Sequence, residues 1–168
     1  MYPRDYETFD HKGHTFRVAI EHDPDIGAPW KEQDGHGVVS DWTSRAKRPG
    51  ELILARDRTR YRYYDLSAST ARAKRDGWGP HQPRPDETRG QAIARAVQED
   101  FEYLRAWCAD DWQYVSVYVC WDDDPDMAEC LGAVETFRDY HKIVARELAD
   151  ELMARIEVDP PHVVLSEN

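Results

Sequence analysis

Long apolar runs are missing from this chain: no segment reaches the eighteen or so consecutive apolar residues of a membrane-spanning helix. The opening stretch, MYPRDYETFDHKGH, lacks the apolar centre of a signal peptide, so the expectation is a cytoplasmic protein that makes no use of a membrane. Cysteine is scarce. Cys108, Cys120 and Cys130 make an odd number without CxxC spacing, which argues against a disulfide framework and predicts reduced, buried thiols. A thiol nucleophile is the other reading, and apolar burial opposes it by raising thiol pKa. Enzyme signatures are also absent: there is no GxSxG elbow, Gly-rich dinucleotide fingerprint, phosphate loop, HExxH helix, or kinase or deaminase pattern. No internal repeat is visible, and no cofactor is expected.

What is present fits one domain spanning 1–168. The chain is 40% hydrophobic and carries six Trp, nine Tyr and four Phe, too much aromatic bulk for a disordered protein. Its net charge of −11 is uneven. Residues 1–50 hold seven basic and nine acidic side chains, residues 51–90 nine and six, and residues 91–168 six and eighteen. Such asymmetry marks either an interaction surface or internal neutralisation of a basic middle by an acidic end. The overall charge disfavours binding to bare nucleic acid and allows competition with nucleic acid for a basic partner.

The stretch 23–50, DPDIGAPWKEQDGHGVVSDWTSRAKRPG, is too polar and too rich in Gly and Pro for a helix or a central strand. It nevertheless carries Trp30 and Trp42, which predicts a long ordered loop serving either as a scaffold or as a docking surface. Before it, HTFRVAIEH (14–22) alternates as a half-buried strand does. After it, ELILAR (51–56), a turn at Asp57–Arg60 and YRYY (61–64) read as a hairpin. Asp65 caps a short helix ended by Gly77. The prolines of 79–90 form a connection, and Thr88 with Gln91 has capping-box spacing. A long helix follows, with Ile93, Val97, Phe101, Leu104 and Trp107 or Cys108 on one stripe. WQYVSVYVCW (112–121) is apolar on both faces, as a covered central strand would be, and CLGAVE (130–135) returns beside it. Thr136 and Asp139 repeat the capping-box spacing before a last helix with Phe137, Tyr140, Val144, Leu148, Leu152 and Ile156 in a stripe, ended by Pro160-Pro161. The predicted fold is α+β: an antiparallel sheet of about five strands, with two long helices and one short helix mainly on one face.

Several groups of residues have chemical potential. Asp34 and His36, the latter between two glycines, offer the start of a loop-borne metal site for a hydrolase or nuclease; turn carboxylates and a solvent-facing imidazole are the bland alternative. Asp122, Asp123, Asp124, Asp126 and Glu129 lie in an acidic turn without the ligand spacing of a calcium loop, so no metal is assigned to it. Arg58, Arg60 and Arg62 interleave with Tyr61, Tyr63 and Tyr64. They form either an anion or nucleic-acid contact or a half-buried strand with Tyr inward and Arg paired outward.

GAPWKEQDGHGVVSDW, KRPGELILARDR, YYDLSASTARAKRDGWG and DFEYLRAWCADDWQYVSVYV together resemble a group of small phage- and prophage-encoded proteins with no established activity. The resemblance, over roughly residues 17–152, implies a non-enzymatic accessory factor in an infected or lysogenic bacterium. It would bind and inhibit a host protein, such as a CRISPR or restriction defence component. Trp30, Asp34, His36, Trp42 and the acidic turn are the expected contact residues, and a homodimer stays open.

Overall fold

The alternation of His14–His22 produces a strand paired on both sides in the computed structural model, which describes residues 6–158, with side chains through residue 155. The chain forms two compact units: residues 1–25 with 113–168, and residues 26–112.

In the first unit, β1 (Glu7–His11), β2 (His14–His22), β6 (Tyr114–Trp121) and β7 (Ala128–Glu135) form an antiparallel sheet in the order β1-β2-β6-β7. Lys12 and Gly13, both at positive φ, make the two-residue turn that joins β1 to β2. Such turns match the twist of the strands they connect. Val115, Val117 and Val119 of β6 are buried on one face; on the other, Tyr114 and Cys120 are buried and Ser116 and Tyr118 half-buried, so the expected cover on both sides is complete on one. Helix α4 (Tyr140–Val158) lays Val144, Ala145, Leu148, Ala149 and Leu152 against Phe16 and the valines of β6.

The start of α4 departs from expectation. Thr136 does not cap it; its hydroxyl bonds the backbone of Gln113 instead, and Arg138 and Asp139 take left-handed conformations that kink the chain. The helical stripe therefore begins at Val144, and Tyr140 is 47% exposed. The Pro160-Pro161 stop lies outside the described residues, as does the side chain of Ile156.

In the second unit, β3 (Val38–Val39), β5 (Arg60–Asp65) and β4 (Glu51–Asp57) form an antiparallel sheet in the order β3-β5-β4. Helices α2 (Leu66–Asp76) and α3 (Arg89–Cys108) cover one face, burying Leu54, Tyr64, Ala73, Ile93, Val97, Phe101 and Leu104 together. Local signals set these helix ends. Asp65 accepts from the Ala68 amide, Gly77 terminates α2 in the left-handed region, and Thr88 with Gln91 completes a capping box. The 79–90 connection is strapped to α3, because Arg95 forks Glu87 and donates to the Gln82 carbonyl.

The α+β class and the antiparallel pairing agree with the sequence, but the single five-stranded sheet does not form. Among the described residues, sheets of four and three strands stand in its place, with four α-helices. The strand β1 escaped notice because Phe9 is its one large apolar residue; β3 is two residues long. The fourth helix is a single turn, α1 (Pro29–Glu32), with proline in its first position. Among the described residues no helix is long and apolar enough to cross a membrane.

Candidate functional site

The loop tryptophans converge on one arginine. In β5, Arg62 follows Tyr64 on the helix-facing side by the two-residue period, and it lies where α3 reaches its last turn. The core's apolar filling gives way there to rings. The Arg62 guanidinium carbon is 4.9 Å from the ring centroid of Trp30 and 4.9 Å from that of Trp42. Trp30, carried by α1, meets Trp107 of α3 edge-on at 5.4 Å. Trp42 is held by the adjoining residue, since Thr43 and Tyr61 exchange backbone hydrogen bonds. Arg60 approaches the Trp42 ring at 5.8 Å and pairs with Asp57 at 2.7 Å.

Beside this stack lies a cleft of about 540 Å³, whose walls include Trp42, Leu54 and Trp107 and whose charges are Arg56, Arg62, Arg105 and Asp57. Asp57 is already engaged by Arg60, while Arg56, Arg62 and Arg105 form no ion pair among the described residues. The Nε of Arg62 is buried with no hydrogen-bond partner, a costly position for part of a cation. Cation–π contact with two tryptophans offsets part of that cost. Cys108 also lines the cleft, and burial pushes its thiol up to about 11, against the pull of Arg62. At neutral pH it is therefore a thiol and a poor nucleophile.

The opposite face of the hairpin reverses the pattern of inward Tyr and outward paired Arg. Tyr61 and Tyr63 stack on one another away from the helices. The long loop covers them: Arg45 lies over the Tyr63 ring, and the Tyr63 hydroxyl donates to the Arg45 carbonyl. Arg45 also forks Glu51, whose carboxylate accepts from the Arg48 amide and is held at about 2 by these partners. This pair closes the loop where it enters β4. The loop's ordering thus has an electrostatic latch at one end and an aromatic one in the middle.

His36 goes elsewhere, into a buried polar node. Its Nδ1 is 2.6 Å from Oδ1 of Asp100, and the other carboxylate oxygen accepts from the Gly37 amide at 2.9 Å and the Tyr64 hydroxyl at 2.8 Å. The ring stacks on Tyr103, and Arg72 donates to the His36 carbonyl. Burial, with the Asp100 carboxylate alongside, raises the Tyr64 pKa and keeps its hydroxyl a donor. The expected Asp34–His36 pairing does not form; Asp34 is exposed, and the imidazole is turned inward toward α3. Among the described residues no group of three or more His, Cys, Asp or Glu is arranged to hold a metal ion.

In the first unit, Asp122 pairs with Arg17 at 2.5 Å and Glu129 pairs with Arg155. Asp123, Asp124 and Asp126 are exposed in the β6–β7 turn, without ion pairs among the described residues. Arg58 is exposed at the β4–β5 turn in a left-handed conformation. Within residues 26–112 the fold unites Trp30, Trp42, Arg60 and Arg62 and sends His36 to Asp100 instead. Arg105 and Trp107 were missed as site residues because the helical stripe assigns this end of α3 to the core. Asp100 carried a readable signal: three residues after Val97 and four before Leu104, it is an acid on the buried face of a helix and needs partners there. Comparison with protein-family models, with curated proteins and with solved structures gives no match to this chain.

Proposed function

We propose that this chain is a non-enzymatic binding protein that seats an anionic group of its partner in the arginine–tryptophan cleft of residues 26–112. One observation carries the reading. Arg56, Arg62 and Arg105 line one cleft and form no ion pair among the described residues, and the cleft's carboxylate, Asp57, is already held by Arg60. A partly desolvated, uncompensated cation favours an incoming anion, and guanidinium groups bind carboxylate or phosphate through paired donors. The distribution of charge supports it as well. Residues 26–112 hold fifteen basic and fourteen acidic side chains, so the acidity of the whole chain is not carried by this unit.

The resemblance of the four segments to phage- and prophage-encoded proteins supports a setting inside an infected or lysogenic bacterium. Three of those segments supply most of the cleft, Trp42 from the first, Leu54 to Asp57 from the second, and Arg105, Trp107, Cys108 and Ala109 from the fourth, while Arg62 lies outside them. Heparin chromatography of the full chain tests the reading. Retention that is lost on raising salt, and lost in an Arg56→Ala/Arg105→Ala variant, is the expected result; passage of the wild type in the void volume at low salt sinks it.

A second reading uses the other unit. Residues 1–25 and 113–168 hold nineteen acidic and seven basic side chains, and Asp123, Asp124 and Asp126 are exposed and without ion pairs among the described residues. That surface suits a basic face of a host defence protein, which would be inhibited by an imitation of nucleic acid. A specific, salt-sensitive partner recovered from host lysate, and lost on replacing these three aspartates by asparagine, is the supporting outcome. Recovery of the same partner by the triple variant would count against it.

A further inference from the structure

We infer that the cleft takes a nucleotide unit of a single-stranded nucleic acid, its base against Trp42 and Trp107 and its phosphate against Arg105, with Arg56, over the Tyr61 ring, at the rim. The inference rests on the cleft being the binding surface and adds the chemical class of the ligand.

Three features select a nucleotide over a simple anion. The first is the pairing of flat apolar walls with cations in one cleft. Trp42 is 37% exposed, so part of its ring surface remains open beside the approaches of Arg62 and Arg60. Bases stack on aromatic side chains whatever their identity, because every base has a π face. An acidic peptide brings carboxylates to the arginines and leaves the tryptophan surface unmatched.

The second feature is size. About 540 Å³ lies in the range of small-molecule sites, ample for a base with its sugar and phosphate.

The third is continuation beyond the cleft. The β4–β5 turn carries Arg58 and Arg60 next to the cleft residues Arg56 and Asp57, and all four are exposed. The register pairs Asp57 with Arg60 and Arg56 with Tyr61, so the guanidinium groups are spread along a hairpin end instead of gathered at one point. A strand of successive phosphates matches that spread better than a lone nucleotide does. Arg62 itself is the organiser. Fixed between Trp30 and Trp42, it holds the stacking ring of Trp42 in place and directs positive charge into the cleft. Stacking on tryptophan faces is open to every base, so binding is expected to tolerate sequence.

Four probes are titrated into the full chain and read by tryptophan fluorescence and by anisotropy: an oligothymidylate, thymidine monophosphate, inorganic polyphosphate and poly-glutamate. The expected result is quenching and saturable binding by the oligothymidylate, with thymidine monophosphate competing more weakly. Trp42→Ala weakens oligothymidylate binding about tenfold. Arg105→Ala lowers the dependence of log affinity on log salt by about 0.7. Thymidine monophosphate binding as tightly as the oligonucleotide overturns the strand and assigns the site to a free nucleotide. Polyphosphate binding as well as the oligonucleotide, with no effect of Trp42→Ala, overturns the nucleotide while leaving an anion-binding cleft intact. Binding of poly-glutamate alone does the same. Binding of none of the four removes both the nucleotide and the cleft as a binding surface. If Trp42→Ala does not fold, Arg56→Ala/Arg105→Ala decides the matter, since both side chains are exposed on the surface. Unchanged oligonucleotide affinity in that folded variant is a negative result.

Discussion

His36 and Asp100, sixty-four residues apart in sequence, meet with 2.6 Å between Nδ1 and Oδ1. The contact ties the middle of the long loop to the buried face of α3, and the second Asp100 oxygen ties it again through the Gly37 amide and the Tyr64 hydroxyl. A histidine between two glycines looks like a reactive group in the sequence. In the fold it is an anchor.

Asp100→Ala leaves the His36 ring, the Gly37 amide and the Tyr64 hydroxyl without their shared acceptor. The expected cost is about 2–4 kcal/mol, because an unsatisfied buried donor forfeits its solvation as well as its bond. Tyr64→Phe removes one of the three and costs about 1–2 kcal/mol. Urea unfolding of the two variants checks both the sizes and their order.

Gly37 is needed for space. A Cβ there would collide with the Tyr64 hydroxyl and with Ser69 Oγ, both on buried residues. Gly37→Ala is therefore expected to lose about 1–3 kcal/mol through overpacking. Gly35 faces open space but sits at φ 90°, so Gly35→Ala is strained by backbone conformation alone. Calorimetric melting of the two variants separates crowding from backbone strain by comparison with Gly79→Ala, which has neither open-space φ strain nor a near neighbour.

Glu51 gives a pH prediction with a definite sign. Arg45 and the Arg48 amide lower its carboxyl from 4.5 to about 2 in the folded chain. Above about 4.5 it is ionised whether folded or not, and its full contribution is present. As pH falls from 4.5 toward 2, the unfolded chain takes up the proton first and the contribution is lost. The stability gap between wild type and Glu51→Gln should shrink across that window. A gap that stays constant from pH 7 to pH 2 would contradict the assignment.

Arg62→Lys keeps the charge and removes the flat group that two tryptophans cover. The expected loss is about 1 kcal/mol, with a larger one for Arg62→Ala, which also removes the packed stem. Denaturant titration followed by tryptophan emission reports the stability change and the altered surroundings of Trp30 and Trp42 together.

What the sequence determined by itself is local. Caps at Asp65 and Thr88, the left-handed stop at Gly77, the stripe of α3 and the buried run of β6 were legible because each depends on residues within a few positions of one another. The 23–50 stretch, read as loop throughout, contains α1 and β3. The failures have the same physics. Thr136 has the spacing of a cap, yet its hydroxyl bonds Gln113, twenty-three residues away, which no local pattern records. The strands β1 and β3 carry too few apolar residues to declare themselves, and pairing with a neighbour is what makes them strands.

Only the tertiary structure decided which of the candidate residues belong together. Sequence proximity grouped Asp34 with His36 and set Trp30 and Trp42 apart from the arginine hairpin; folding divided the first pair and joined the second group. Arg62 is drawn among the rings because the inward face of β5 outlasts the apolar cover of α3, and stacking on aromatic faces is an environment a guanidinium accepts out of water. The long loop is held at several points: His36 on Asp100, Trp30 and Trp42 on Arg62, and Arg45 on Glu51.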